Sequence, residues 1–149
     1  MQVKRQLLHA LFWLLAAVCA TALTLAFLAP FALVSYDIEH SLSTVVPGSV
    51  ASAVVDAAFY AVLVLIWAVA GLLGGHLTTS QRLWPLESKA GYWWAATAAL
   101  AVAGAFVAME MAPLAAVAVT IGTHFGRKSG LNAHARDESI RGAIQAELR

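Results

Sequence analysis

A single carboxylate interrupts the most apolar part of the sequence. Glu110 is the only charged residue between Tyr92 and Gly126, and it lies between Met109 and Met111. Thioether sulfur suits soft metal ions, so this trio has the chemistry of an ion site. Successive residues of a helix point in different directions, however, and these side chains converge only in an irregular turn. We expect Glu110 to be solvated in a turn and keep cation binding as the alternative.

Asp56 is the second candidate for binding a cation. It lies near the start of an apolar segment, where a partly buried carboxylate would need a positive partner. The simpler interpretation is a contact with the positive end of a helix dipole, which contributes less than about 1 kcal/mol. Asp37, Glu39 and His40 precede it, and we expect these three residues to lie in a solvated loop.

Three histidines are candidate ligands for haem or a metal ion, namely His9, His76 and His124. In an arrangement with four membrane spans, all three would lie at one common depth. A site between helices requires such a common depth. Polar residues at a membrane interface also share a depth, so we expect no cofactor and keep ligation as the alternative.

The composition excludes an ordinary soluble domain. Hydrophobic residues form 61% of the 149 residues, charged residues form 11%, and the mean hydropathy is +0.78. Soluble domains are nearer half apolar and a quarter charged. The sequence has no phosphate-binding glycine loop and no HExxH, CxxC or G-x-S-x-G pattern. We therefore predict an all-α integral membrane protein that is not an enzyme.

The first apolar segment runs from Leu7 to Ala29. As a helix it would measure about 34 Å, which is enough to cross a hydrocarbon layer of about 30 Å. Pro30 follows, and we expect the helix to end there because proline disrupts a helix interior. A polar loop is predicted at residues 35–47.

The second apolar segment begins within residues 50–56 and ends near Gly75. With Gly71 and Gly74, Gly75 gives this helix a thin end that another helix backbone can approach closely. A second polar loop is predicted at residues 76–91.

The run from Tyr92 to Gly126 is too long for one span. As a single helix it would measure about 52 Å, which exceeds the hydrocarbon layer by about 20 Å. It is either one helix bent at Pro113 or two helices joined by a turn at Met109–Ala112. In the second case Pro113 occupies the first helical position, where its missing N–H has no intrahelical partner to lose.

The distribution of charge favours two helices in this run. With four spans, every basic residue lies on one side of the membrane, whereas with three spans Arg127 and Lys128 fall on the wrong side. Because basic residues are enriched in cytoplasmic loops, we predict four transmembrane helices, the last two a tight hairpin. Both termini then lie in the cytoplasm, at the cell (inner) membrane. The basic residues are Lys4, Arg5, Arg82, Lys89, Arg127, Lys128, Arg136, Arg141 and Arg149.

Residues 127–149 are expected to form a cytoplasmic tail, distinct from a transmembrane domain at 1–126. Ile140, Ile144 and Leu148 recur every fourth residue and form one apolar stripe on a short amphipathic helix. A helix this short is marginally stable alone in water. We therefore expect the stripe to dock on a partner protein.

These features predict a non-catalytic subunit or accessory factor of a larger membrane assembly. Its expected partners are membrane lipid and either other membrane subunits or further copies of itself, with no nucleic acid. One alternative is a small oligomeric cation transporter or channel that uses Asp56 and Glu110. Another is a haem or metal redox subunit that uses His9, His76 and His124.

Overall fold

The computed structural model describes residues 2–80, 88–107 and 109–147; for residues 2, 3, 5, 88, 134 and 142–147 it describes the backbone alone. Within these ranges the chain is helical apart from short connections at 44–47 and around 110, and it contains no strand. The predicted all-α class is therefore confirmed. The helices are α1 at Gln2–Ser43, α2 at Gly48–Ser80, α3 at Ser88–Phe106 and α4 at Ala112–Glu147.

The side chains are arranged as in a protein surrounded by lipid. Two helices, α1 and α2, are long and apolar enough to cross a membrane. Most buried apolar residues are alanines, whereas many leucines and valines are exposed, including Leu33 at 79%. Small residues at helix contacts let helices pack closely in lipid, where large apolar side chains can remain on the outside. These observations support an integral membrane protein.

The prediction that the first helix ends at Pro30 is wrong, because α1 continues to Ser43. Proline removes only one backbone N–H, and aromatic packing on both sides of Pro30 holds the helix together. The ring centroids of Phe27 and Phe31 are 5.3 Å apart, and that of Phe31 is 5.3 Å from Phe59 of α2. Most of the predicted loop at 35–47 is therefore helix, and only residues 44–47 connect α1 to α2.

α2 is longer at both ends than the sequence predicts. At its C-terminal end, the Thr78 hydroxyl donates to the carbonyl oxygen of Gly74 at 2.7 Å, and the Ser80 hydroxyl donates to that of Leu77 at 3.1 Å. These hydroxyl groups form hydrogen bonds within their own helix, so polar residues at these positions do not terminate α2. Of the predicted loop 76–91, residues 76–80 belong to α2 and 88–91 to α3, while 81–87 lie outside the described residues.

The most extensive helix contact joins α2 to α4, and there the two backbones touch. A Cβ atom added at Gly122 of α4 would overlap the carbonyl oxygen of Ala68. One added at Gly71 of α2 would overlap the carbonyl oxygen of Val119. The prediction that another backbone approaches the glycine-rich end of α2 is therefore confirmed at Gly71 and Gly75, where that backbone belongs to α4, whereas Gly74 faces the Trp13 side chain of α1.

The two helices run in the same direction, because their contacts advance together along both. Each step is four residues, or about one helical turn. Gly130 is the last buried residue that the structure describes in α4. In chain order the contacts join Ala68 to Gly122, Leu72 to Gly126 and His76 to Gly130.

α3 and α4 are separate helices that pack antiparallel. Residues 107 and 109–111, which lie between them, form turns. Near this turn, Gly104 of α3 faces Ala112 of α4. Far from the turn, Tyr92 of α3 contacts His124 and Arg127 of α4. Residues from 92 to 126 therefore do not form one bent helix.

The prediction of a separate short helix after Gly126 is wrong, because α4 continues without a break to Glu147. The close approach of Gly126 and Gly130 to α2 keeps the backbone helical across the basic pair Arg127 and Lys128. Residues 131–147 then extend beyond the contact with α2 for about 25 Å. We call this segment the α4 arm.

Candidate functional site

His9 is fully buried and takes part in the packing of α1. The Trp13 indole Nε1 donates a hydrogen bond of 2.9 Å to His9 Nε2. Indole nitrogen can only donate, so Nε2 carries no proton and the imidazole is neutral. His9 also lies against the backbone of Gly91 at the start of α3. These contacts give it a structural role that links α1 to α3.

The other two histidines have different surroundings. His76 of α2 is half-buried next to Gly130, whereas His124 of α4 is exposed and contacts Tyr92. Among the residues whose side chains are described, no three His, Cys, Asp or Glu come together as metal ligands. A haem or metal role for His9, His76 and His124 stays a prediction from the sequence alone.

The two candidate carboxylates are both exposed. Glu110 lies in the turn between α3 and α4, where water or headgroups can reach it. Asp56 was considered for partial burial, which is wrong, because its position on α2 faces away from the other helices. Extending the α2–α4 register places Asp56 level with Glu110, at the same end of the bundle. Cation binding at either residue stays a prediction.

The side chains that the structure describes in the α4 arm lie on the surface. From Leu131 to Arg141, every side chain that the structure describes is exposed, and Ile140 is 50% exposed. Ile144 is described by its backbone alone and Leu148 lies outside the described residues. The predicted docking stripe therefore begins on an exposed helix.

A polar cluster that the sequence analysis missed joins α3 to α4. Tyr92 Oη lies 3.4 Å from His124 Nδ1, and Arg127 Nη1 donates to Tyr92 Oη at 3.5 Å. The Arg127 guanidinium also lies over the Tyr92 ring, 5.9 Å from its centroid, which is a cation–π distance. His124 and Arg127 are three residues apart and share a helix face. Their meeting with Tyr92 depends on the antiparallel register of α3 and α4, which no local pattern gives.

Two members of this cluster, Tyr92 and His124, also line an apolar groove on the surface of α3 and α4. The groove has a volume of about 460 Å³ and is lined by Tyr92, Thr120, Ile121, His124 and Phe125. Its walls are almost entirely apolar. Thr120 adds little polarity to these walls, because its hydroxyl donates a hydrogen bond of 2.7 Å to the Ala116 carbonyl oxygen within α4. The groove therefore offers a largely apolar surface.

No protein family, curated protein or solved structure matches this chain. Its function is therefore argued from its own geometry.

Proposed function

We propose that this chain is a four-span protein of the cell membrane with both termini in the cytoplasm. We further propose that it is a non-catalytic subunit or accessory factor of a larger membrane assembly. Within this proposal, α1 to α4 cross the membrane in alternating directions, and the α4 arm reaches into the cytoplasm to bind a partner protein.

The directions and lengths of the helices support this topology. Alternating spans make α2 parallel to α4 and α3 antiparallel to it, which matches their contacts. α3 is about 28 Å long, and so is the packed part of α4 at residues 112–130, close to the thickness of the hydrocarbon layer. Arg127 and Lys128 near the end of that part can extend to the headgroups, as long basic side chains do.

The single observation that carries the proposed role is the exposure of the α4 arm. Residues 131–147 continue α4 as a helix beyond its last buried residue, and the side chains that the structure describes there are exposed. Such a segment contributes little to the fold, yet it presents Ile140 on a rigid extension of α4. Its basic residues are interspersed with Asp137 and Glu138, so attraction to anionic lipid is weak and a protein partner is favoured.

The test is to replace Ile140 and Ile144 together with serine and to purify the tagged full-length chain from its native membranes. Burial of each isoleucine at an interface contributes about 2 kcal/mol, so we expect the yield of co-purified partner to fall tenfold or more. The measurement is quantitative mass spectrometry of the purified complex.

Leu131→Ser is the matched control. Leu131 is also an exposed apolar residue of the α4 arm, but it lies about 180° around the helix from Ile140. We expect this variant to retain its partners. If the double variant keeps an unchanged set of partners at unchanged yield, the proposed role of the arm is wrong.

A further inference from the structure

We propose that the tip of the α1–α2 hairpin is a docking surface for a segment of another protein that carries both basic and apolar side chains. We call residues 35–55 the hairpin tip. This inference rests on the proposed topology, which places the tip outside the cell membrane, and on the proposed role in a larger assembly. It adds to that role a second contact, at the end of the bundle opposite to the α4 arm, and the chemistry of its partner.

The hairpin tip projects beyond the rest of the bundle. α1 has 42 residues, which corresponds to about 63 Å or twice the thickness of the hydrocarbon layer. In the α2–α4 register Asp56 is level with Glu110, so residues 48–55 of α2 extend about 12 Å past the turn between α3 and α4. The last turns of α1 lie beside them, because Phe31 packs on Phe59 in an antiparallel pair of helices.

Contacts within the tip hold its shape. Ala51 and Val55 are buried at this level, where α1 is the neighbouring helix of α2. In the short connection between the two helices, the Val46 N–H donates to the Leu42 carbonyl oxygen at 2.9 Å. The surface is therefore formed before a partner binds, and such preorganisation lowers the entropic cost of association.

Large apolar side chains remain exposed on the tip. Tyr36 is 73% exposed and Val45 is 83% exposed. Val50 and Val54 are exposed as well and lie one helical turn apart on α2, and Ile38 of α1 is exposed at the same level. Exposed apolar surface that is rimmed by polar residues and lies outside lipid is typical of sites that bind other proteins.

The charge of the tip selects the chemistry of the partner. Asp37 and Glu39 lie on the tip, Asp56 follows it, and Glu110 lies in the neighbouring turn. Residues 6–81 contain neither lysine nor arginine. The lysines and arginines described in α3 and α4 lie at or beyond the opposite end of these helices. Electrostatic complementarity therefore favours a partner segment that contains lysine or arginine.

Three other occupants fit the tip less well. A second copy of this chain would bring the same carboxylates together, and like charges across an interface are unfavourable. Anionic lipid headgroups are repelled for the same reason. A bound metal ion needs several converging ligands, and within the part of the chain whose side chains are described no three His, Cys, Asp or Glu come together. A basic and apolar protein segment matches both the charge and the apolar surface of the tip.

The test is site-specific photo-cross-linking in native membranes. Val45 is replaced by p-benzoylphenylalanine in the tagged full-length chain, and the adducts formed on irradiation are purified and sequenced by mass spectrometry. We expect the cross-linked peptide to come from another protein and to contain lysine or arginine together with apolar residues. The matched control has the same photo-reactive residue in place of Leu23, which is exposed on the membrane-spanning part of α1, and it should not yield this peptide.

Charge-neutral variants test whether the carboxylates of the tip select the partner. Asp37→Asn combined with Asp56→Asn removes two exposed negative charges and should lower the yield of the adduct about fivefold, as expected for the loss of two surface ion pairs. Asp137→Asn, the same chemical change on the exposed α4 arm, should leave the yield unchanged.

Salt provides a second measurement that needs no variant of the carboxylates. In isolated membrane fragments, raising the salt concentration from about 0.1 M to about 1 M shortens the Debye length from about 10 Å to about 3 Å. The yield of the adduct should fall as the attraction between the tip and its partner is screened.

An adduct with lipid, with a second copy of this chain or with a segment that lacks lysine and arginine would overturn the proposal, and so would the absence of an adduct. An unchanged yield in the double aspartate variant, or at high salt, would also overturn it. The adduct reports on the tip alone, so its absence leaves the proposed role of the α4 arm in place. The Ile140→Ser and Ile144→Ser comparison tests that role separately.

Discussion

The two halves of α4 are one continuous helix but have opposite surroundings. Residues 112–130 pack against α2 and α3, and several of them are small enough for backbones to touch. Residues 131–147 form the α4 arm, whose described side chains are all exposed. The boundary falls after Gly130, which lies four residues beyond Gly126 and is the last buried residue described in α4. Residues 131–147 therefore form a helix even though the side chains described there are not buried against α2 or α3.

In the proposed topology the first half of α4 lies in lipid, and its contacts are of the kind that hold helices together there. Lipid tails are as apolar as leucine, so burial of large apolar side chains gives little advantage there. Glycine instead lets two helix backbones approach closely, and this close approach gives many dispersion contacts. The side chains described in the α4 arm are exposed, and in the proposed role this part of the helix presents side chains to a partner.

The largest effect is expected from adding a side chain where the backbones touch. In Gly126→Val the new Cβ overlaps the carbonyl oxygen of Leu72, which is backbone and cannot rotate away. We expect a loss of about 3 kcal/mol or more in the free energy of unfolding. The measurement is denaturant-induced unfolding of the purified protein in detergent micelles, followed by tryptophan fluorescence.

Gly48→Val is the control for this substitution. A Cβ at Gly48 would have no neighbour within 4 Å, so only the helix propensity changes and the effect should be below about 1 kcal/mol. Equal destabilisation by the two variants would show that the glycines of α4 matter for reasons other than contact with α2.

An intermediate and opposite effect is expected at Gly104 of α3. A Cβ there would lie 3.5 Å from the Ala112 Cβ, which is ordinary van der Waals contact. Gly104→Ala should therefore stabilise the protein by about 0.5–1 kcal/mol, because alanine favours the helix. The same unfolding measurement checks it, and a clear destabilisation would mean that α3 and α4 pack more tightly than this distance implies.

The smallest effect on stability is expected from removing the α4 arm. A chain that ends at Gly130 retains every buried residue described in α4, so its free energy of unfolding should change by less than about 0.5 kcal/mol. Its partners should be lost, as for the Ile140 and Ile144 double variant. If truncation unfolds the membrane part, the arm is a structural element and the comparison between the two halves fails.

Part of the fold could be predicted from two features of the sequence, its high hydropathy and its clustered small residues. The helical class followed from composition, and the close contact at Gly71 and Gly75 followed from their clustering. The ends of helices were less predictable, because Pro30 lies inside α1 where the rings of Phe27 and Phe31 pack around it. That packing depends on Phe59 of α2, which local patterns do not include.

The polar cluster could not be predicted for a similar reason. Tyr92 is 32 residues from His124 and 35 from Arg127, and only the register between α3 and α4 brings them together. The distribution of basic residues along the sequence predicts an orientation in the membrane but not their side-chain contacts. The candidate carboxylates Asp56 and Glu110 were found by charge alone, and the structure adds only that both are exposed.

The most direct test of the account is the side of the membrane on which each end of α4 lies. In a Cys19→Ser background, which has no cysteine, single cysteines are introduced by Glu110→Cys and Ala135→Cys, both at exposed positions. A membrane-impermeant maleimide is added to intact cells and, separately, to cells whose membrane has been permeabilised. The account predicts that position 110 is labelled in intact cells and that position 135 is labelled only after opening. Labelling of position 135 in intact cells, with position 110 protected, would contradict four spans with a cytoplasmic C-terminus.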